Sequence, residues 1–270
     1  KTQAINVGDI VKVRGKTGCF QVNKIGYGMF QLLTAYGDLF TAKDPPNKMP
    51  MSALLALLQL GDGRFPAGGH VHSAGIESAV ADGRVTGQRS LEDYLRGRLT
   101  TVGLTDAALV AASVIRLEAE RRDGNDLLGS VIAELDAEVE ARIAPPPLRS
   151  ASRKLGRQLT RVAARCWPDP LFASLSAAHL EGVHQPVALG AAAVVSGASP
   201  VGAATVSVHH ALNTPAQAAV RLLGLDPFAA VAIAVSLAPE ADAIVAAAVA
   251  AAHGPLADLP ARTGPRCEIA

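Results

Sequence analysis

From Gly182 to Val220 the chain runs 39 residues without a single Asp, Glu, Lys or Arg. A stretch that long and uncharged must be enclosed, by a bilayer or by other protein. A membrane span needs about 20 consecutive apolar residues. Here Gly197, Ser199, Pro200 and Gly202 interrupt the run. What remains is mostly alanine and valine, and alanine contributes little to membrane insertion. Two short helices buried on all sides account for the stretch better. The other residues must then supply enough helix to enclose them, and 270 residues suffice for one or two domains with a sizeable core.

Composition sharpens that expectation. Charged residues are 18% of the chain, against about 25% in ordinary soluble domains. Apolar residues reach 49%, yet aromatics are only 4%. Alanine favours helix but buries little area per residue. Close helix packing through small side chains, or burial against another protein, has to make up the difference. The net charge of +1 gives no general attraction to nucleic acid or to an anionic membrane. Cys19, Cys166 and Cys267 lack C-x-x-C spacing, which fits a reducing, cytoplasmic setting. Residues 1–50 contain no apolar segment followed by a cleavage site.

The character of the chain changes near residue 50. Residues 1–50 carry seven basic and three acidic side chains, net +4, so residues 51–270 are net −3. Alternation in 9–14, 19–22 and 29–33 between glycines predicts a basic β-hairpin or small-barrel segment. Asp44-Pro-Pro-Asn47 reads as a linker, and Met51 as a natural start for the remainder of the chain. From Met51 onward the periodicity predicts an all-α helical bundle. Ser90-Leu-Glu-Asp93 looks like a capping-box start. Asp106–Arg122 reads as a helix, Asn125 as the cap of the next, and Pro145-Pro-Pro147 as its end. In that helix Glu134, Asp136, Glu138 and Glu140 are expected to face mostly outward. Leu148–Trp167 and 170–181 read as further helices. Thr214-Pro215 and Asp226-Pro227 read as cap-plus-proline starts of two more. Pro239 is expected to break the last helical stretch, and Gly254 to close it.

Few residues suggest chemistry. His70/His72 and His209/His210 are imidazole pairs that could contact nickel, zinc or copper. Neither pair has a nearby Cys or Asp to complete a site, so surface or helix-start histidines are the simpler reading. Arg149, Arg153, Arg157, Arg161 and Arg165 recur every fourth residue and wind slowly along one side of a helix. They form a solvated face or, more sharply, a docking stripe for an acidic partner. Gly156, in mid-helix, costs about 1 kcal/mol relative to alanine and suggests close backbone approach by a neighbouring helix. Arg221, flanked by apolar sequence, is expected to find a carboxylate or carbonyl, with Glu77 a speculative partner. No G-x-S-x-G, Walker A or G-x-G-x-x-G pattern is present, so no enzyme active site is expected.

Four motifs then stand in order. Within 58–77, Pro66, Gly68, Ser73, Gly75 and Glu77 match P-x-G-x-(aromatic)-x-x-S-x-G-(apolar)-E, with His70 at the aromatic position. Leu148–Leu159, including Arg149, Gly156 and Arg157, matches L-R-x-A-S-x-x-(M/L)-G-R-x-L. His184–Gly190 matches H-x-P-(apolar)3-G, and Ala218–Leu222, with Arg221, matches A-x-R-L. No motif alone is specific, but the ordered set resembles the urease accessory protein family UreF. The 61–63 turn and the H-V-H-S turn look most like its actinobacterial branch.

The resemblance implies an all-α, non-enzymatic scaffold acting as a homodimer. It would bridge UreD (also called UreH) and the GTPase UreG on apo-urease and promote GTP-dependent nickel insertion. No cofactor would be tightly bound, though nickel could pass transiently, and neither membrane nor nucleic acid is expected as a partner. Stimulation of UreG turnover by Arg157 or Arg221 is a variant of this reading. The chain departs from the family in lacking P-L-G-Q after Leu222 and the terminal E-x-x-x-x-x-R-L-F-x-S, ending instead in Cys267-Glu-Ile-Ala270. Weak UreD binding is the corresponding expectation. The alternative class is a metal-binding regulatory or nucleic-acid-binding module.

Overall fold

A computed structural model describes residues 51–67, 73–123 and 127–261, and the backbone of four short strands before them. The chain separates into two compact units, 1–50 and 51–270. In the first unit the strands are β1 (Ile10–Val11), β2 (Phe20–Gly26), β3 (Met29–Leu33) and β4 (Leu39–Thr41). They pair antiparallel in the order β1-β2-β3-β4, with a register irregularity between Val22 and Lys24. These few residues do not establish the expected hairpin or small-barrel module, most of which falls outside the described residues.

The second unit is all-α. Its helices among the described residues are α1 (Met51–Gly61), α2 (Ile76–Ala81), α3 (Gln88–Arg98), α4 (Leu104–Asp123), α5 (Leu128–Arg142) and α6 (Pro146–Cys166). They continue with α7 (Leu171–Ala178), α8 (Gln185–Ser196), α9 (Pro200–Leu223), α10 (Pro227–Ser236) and α11 (Ala238–Ala252). A five-residue π-helical turn, Leu99–Gly103, joins α3 to α4 in one rod. The Thr100 and Thr101 hydroxyls donate back to the Gly97 carbonyl at 3.1 and 2.8 Å.

The core forms around α4, against which α8, α9 and α11 pack. Its buried face is largely Ala107, Ala108, Ala111, Ala112 and Ser113. Small side chains let the facing backbone come close. At Gly190 of α8 an added Cβ would overlap Ser113 Cβ and lie 3.1 Å from the Val110 carbonyl oxygen. Larger side chains, Leu91, Leu95, Leu99, Leu109 and Leu117, fill the space along the rod and are fully buried. The α3–α4 rod is long and apolar enough to cross a membrane by length and composition, but 72% of its most apolar window lies inside the bundle, as in a core helix.

Several helix boundaries differ from the sequence expectation, each for a local reason. Helix α3 begins at Gln88, so Ser90 sits one turn in. Its hydroxyl still serves the end, accepting from the Thr86 and Gly87 amides at 3.0 and 3.2 Å. Asn125 lies outside the described residues. Thr214-Pro215 starts no helix, because Pro215 lies inside the 24-residue α9. Proline there cannot donate to the Ala211 carbonyl one turn earlier. Arg98 reaches across from α3 and does so instead, Nε to oxygen at 3.2 Å. The start of α9 is Ser199-Pro200, with Ser199 Oγ accepting from the Gly202 amide at 3.1 Å. Asp226-Pro227 does begin α10, the aspartate capping the Phe228 amide at 3.0 Å. Helices α10 and α11 meet at a 50° bend beside Pro239.

Candidate functional site

The second and third sequence motifs, some 25 residues apart, meet in space. Pro146 at the first turn of α6 sets the helix going, and i,i+4 spacing then turns Arg149 and Arg153 toward α5. On α5, Asp136 and Glu140 share one face by the same spacing. Arg153 is 8% exposed and Asp136 7%. Arg153 Nη1 donates to Asp136 Oδ2 at 2.8 Å and to the Gly182 carbonyl at 3.0 Å, and its Nη2 donates to Glu140 Oε2 at 2.7 Å. Arg149 Nε pairs with Glu140 Oε1 at 2.8 Å, and its Nη1 donates to the carbonyls of Ile143 and Ala144. The expectation that Asp136 faces outward is therefore wrong. The buried Arg153 guanidinium draws Asp136 inward as its counter-charge, and tertiary pairing overrides the local charge pattern.

His184 enters this network from the α7–α8 connection. Its amide donates to Asp136 Oδ1 at 2.7 Å, and its ring Nε2 lies 2.7 Å from Glu140 Oε2. The residue is fully buried. Burial works to raise the Glu140 carboxyl, but the hydrogen bonds from His184 and Arg153 outweigh it and hold the group below the usual carboxylate range. An ionised carboxylate only accepts, so His184 Nε2 carries the proton. Burial holds the His184 imidazole below its ordinary value, against the pull of Glu140 and Asp136. The ring is neutral, and Nδ1 is left as a buried lone pair with no hydrogen-bond partner among the described residues. The ring makes no side-chain cap to α8; Pro186 and the backbone start that helix.

Gly156 makes this junction geometrically feasible. An added Cβ would fall inside the Val183 carbonyl oxygen and 2.8 Å from the His184 carbonyl carbon. The partner is the loop entering α8 rather than a helix. Ser152 Oγ accepts from the Gln185 amide at 3.2 Å beside it. Only Nδ1 of the buried ring has a free lone pair, and a metal needs several donors. No group of three or more His, Cys, Asp or Glu is placed to hold an ion among the described residues.

The first motif is anchored separately. Ala74 (φ 55°) and Gly75 (φ 81°) turn the chain into α2. The Ala74 carbonyl accepts from Tyr94 Oη at 2.9 Å and Arg98 Nη1 at 3.1 Å. Pro66 is exposed, and its carbonyl accepts from Gln158 Nε2 of α6 at 3.1 Å. Phe65 stacks on Trp167, ring centroids 6.3 Å apart. Ser73 is half-buried and Glu77 exposed, whereas Gly68, His70 and His72 lie outside the described residues. Arg221 is exposed and makes no described bond to Glu77, contrary to expectation; it lies near the C-terminal end of α9, where solvent reaches it. Helix α9 brings His209 and His210 to the end of α1. Burial holds both below the ordinary value, His210 at about 4. The backbone carbonyls of Gly61 and Leu60 pull weakly the other way.

Sequence reasoning singled out Arg149, Gly156, Arg157 and His184, but it read Arg153 as part of a solvated or docking row and Asp136 and Glu140 as mostly outward, and it missed their pairing and, separately, Arg98. The available signal was the matched i,i+4 spacing of two acids on α5 and two arginines on α6. Arg98 carried none, since its described hydrogen bonds go to carbonyls.

Fold and site together define a class: all-helical domains in which buried ionic groups fasten loops to helices. The sequence pattern of the UreF family matches residues 85–238. A urease accessory protein UreF from Mycobacterium sp. (strain JLS) is 41% identical over 199 residues, 73% of this chain and 86% of the relative. One from Mycolicibacterium vanbaalenii is 40% identical over 189 residues, 70% and 82% respectively. A third, from Mycobacterium tuberculosis (strain H37Ra), is 40% identical over 177 residues, 66% and 76%. The chain belongs to the UreF family of urease accessory proteins.

Proposed function

We propose that this chain is a non-catalytic scaffold of urease maturation. It works as a homodimer, bridges UreD (UreH) and the GTPase UreG on apo-urease, and promotes GTP-dependent insertion of nickel. Nickel crosses the assembly as cargo and not as a resident cofactor of this chain. The observation that carries the reading is the apolar surface on two regular helices. Helix α1 holds Ala53, Ala56 and Leu60 inward and turns Met51, Leu55 and Leu58 outward. Helix α10 buries only Ala230 and leaves Phe228 85% exposed, with Val231 and Val235 beside it. Large apolar side chains displayed along ordered helices mark surfaces that other proteins cover.

The buried polar groups support the same reading, since they hydrogen-bond to backbone and to one another and so shape the surface. Co-purification of the full chain with UreD and UreG tests the proposal, repeated without residues 1–50. Retention of both partners by the full chain and by residues 51–270 is expected. Recovery of neither, by the full chain at micromolar concentration, would sink it.

A further inference from the structure

The cations of α6 divide into two sets. Arg149 and Arg153 are the α6 side chains that pair with carboxylates among the described residues. Lys154, Arg157, Arg161 and Arg165 are exposed. At about 100° per residue these four fall within one arc of about 80°, along roughly 16 Å of helix. Helix α6 contains no acidic residue. The row is thus a concentrated positive strip on a unit of formal charge −3.

Leu180, 100% exposed, stands at the tip of the turn from α7 to α8, two residues before Gly182. That turn is built and clamped. The Gly182 amide donates to the His179 carbonyl at 2.9 Å, and the Glu181 amide donates to His179 Nδ1 at 3.1 Å. The Gly182 carbonyl accepts from the buried Arg153. Gly182 itself has φ +95°, and a Cβ there would lie 2.5 Å from Arg157 Cβ. Gly182 therefore rests on α6 at Arg157, and Leu180, two residues earlier, is held out in water. Glu181 is the one acid on the turn, and it is exposed.

We infer that this face of α6, with Leu180, is a protein-docking surface. Its partner is a folded protein offering an apolar socket for Leu180 rimmed by carboxylates for Arg157, Arg161 and Arg165. Arginine is enriched at binding hot spots, and a leucine held rigidly in water adds an apolar contact that a charged row alone lacks. A simple polyanion would use the row but has no use for the leucine. The inference rests on the scaffold reading above and specifies one of its surfaces.

The test uses the full chain and purified UreD and UreG, each immobilised in turn, with Kd measured for wild type, Leu180→Asp, Arg161→Glu and Arg89→Glu. All three positions are exposed, and circular dichroism checks that each variant folds. Leu180→Asp and Arg161→Glu are expected to weaken binding to one of the two proteins by about tenfold or more. Arg89→Glu, the same charge change on α3, should leave it within twofold or so. Wild-type affinity for both proteins in both Leu180→Asp and Arg161→Glu overturns the inference while the scaffold reading stands. Equal losses in Arg161→Glu and Arg89→Glu, with none in Leu180→Asp, overturn it in favour of diffuse attraction. Binding of a single-stranded oligonucleotide that Arg161→Glu abolishes and Leu180→Asp spares overturns it in favour of a polyanion. Should the wild type bind neither UreD nor UreG, the scaffold reading fails and the inference falls with it.

Discussion

The two halves of α6 carry arginines at the same spacing and put them to opposite uses. In the first half Arg149 and Arg153 turn onto α5, and Arg153 is buried against two carboxylates, Asp136 and Glu140, and the Gly182 carbonyl. In the second half Arg157, Arg161 and Arg165 meet solvent. The drift of about 40° per four-residue step explains how one row serves both. What decides where the row changes sides is the neighbour: α5 supplies carboxylates only beside the first two turns. A periodic charge pattern thus defines a face, and the packing partner decides which part of it is interior.

The comparison can be broken most severely at Arg153. Arg153→Met leaves Asp136 buried without its cation and is expected to cost about 3–5 kcal/mol, measured by urea unfolding. A loss no larger than that of Arg161→Met would show that the two halves do not differ energetically. Gly156→Ala comes next. Its Cβ meets backbone, which cannot rotate away, so a loss of about 1–3 kcal/mol or more is expected in the same assay.

Arg98 extends the comparison to a buried arginine that bonds two carbonyls and pulls on the Asp106 carboxyl. Arg98→Met strips a donor from Ala211 and another from Ala74 and should cost about 1–3 kcal/mol. Adding Pro215→Ala restores an amide for Ala211 and should recover part of that loss. A double-mutant cycle showing no coupling would refute the account of the proline inside α9.

A smaller, pH-dependent effect is expected one helical turn past the π-helical segment. Burial pushes the Asp106 carboxyl up to about 6, against the pull of Arg98. A raised native pKa means the folded chain holds the proton more readily than the unfolded one. The contribution is full below about 4 and is lost as pH rises through about 6. Asp106→Asn should therefore stabilise the chain more near pH 7.5 than near pH 4.5, by about 1–3 kcal/mol. A pH-independent difference would contradict the assignment. Least of all, Arg165→Gln should change stability by no more than about 0.5 kcal/mol, since its side chain faces water.

Much of the fold is legible in the sequence because helix periodicity and proline caps are local properties. The charge-free run forms α8, buried nearly throughout, and most of α9, which is long and leaves Val201, Thr205, His209 and Gln217 exposed instead of being short and buried on all sides; Asp226-Pro227 opens α10. Thr214-Pro215 misleads because a proline can sit inside a helix when a distant side chain bonds the carbonyl it abandons. That donor, Arg98, is more than a hundred residues away. Asp136 misleads for a related reason. Next to Glu134, Glu138 and Glu140 it reads as one of a solvated set, and only the approach of α6 gives it a buried cation.

The sequence alone determined that residues 51–270 would be helical and closely packed, that Gly156 would admit a neighbouring backbone, and which family the ordered motifs indicate. Those properties depend on spacing and side-chain size within a few turns. Tertiary structure decided which arginines became interior, which carbonyl Arg98 would complete, and that His184 would be neutral with one bare nitrogen. Each of those depends on which groups replace water around a charge, and that is set by elements far apart in the chain.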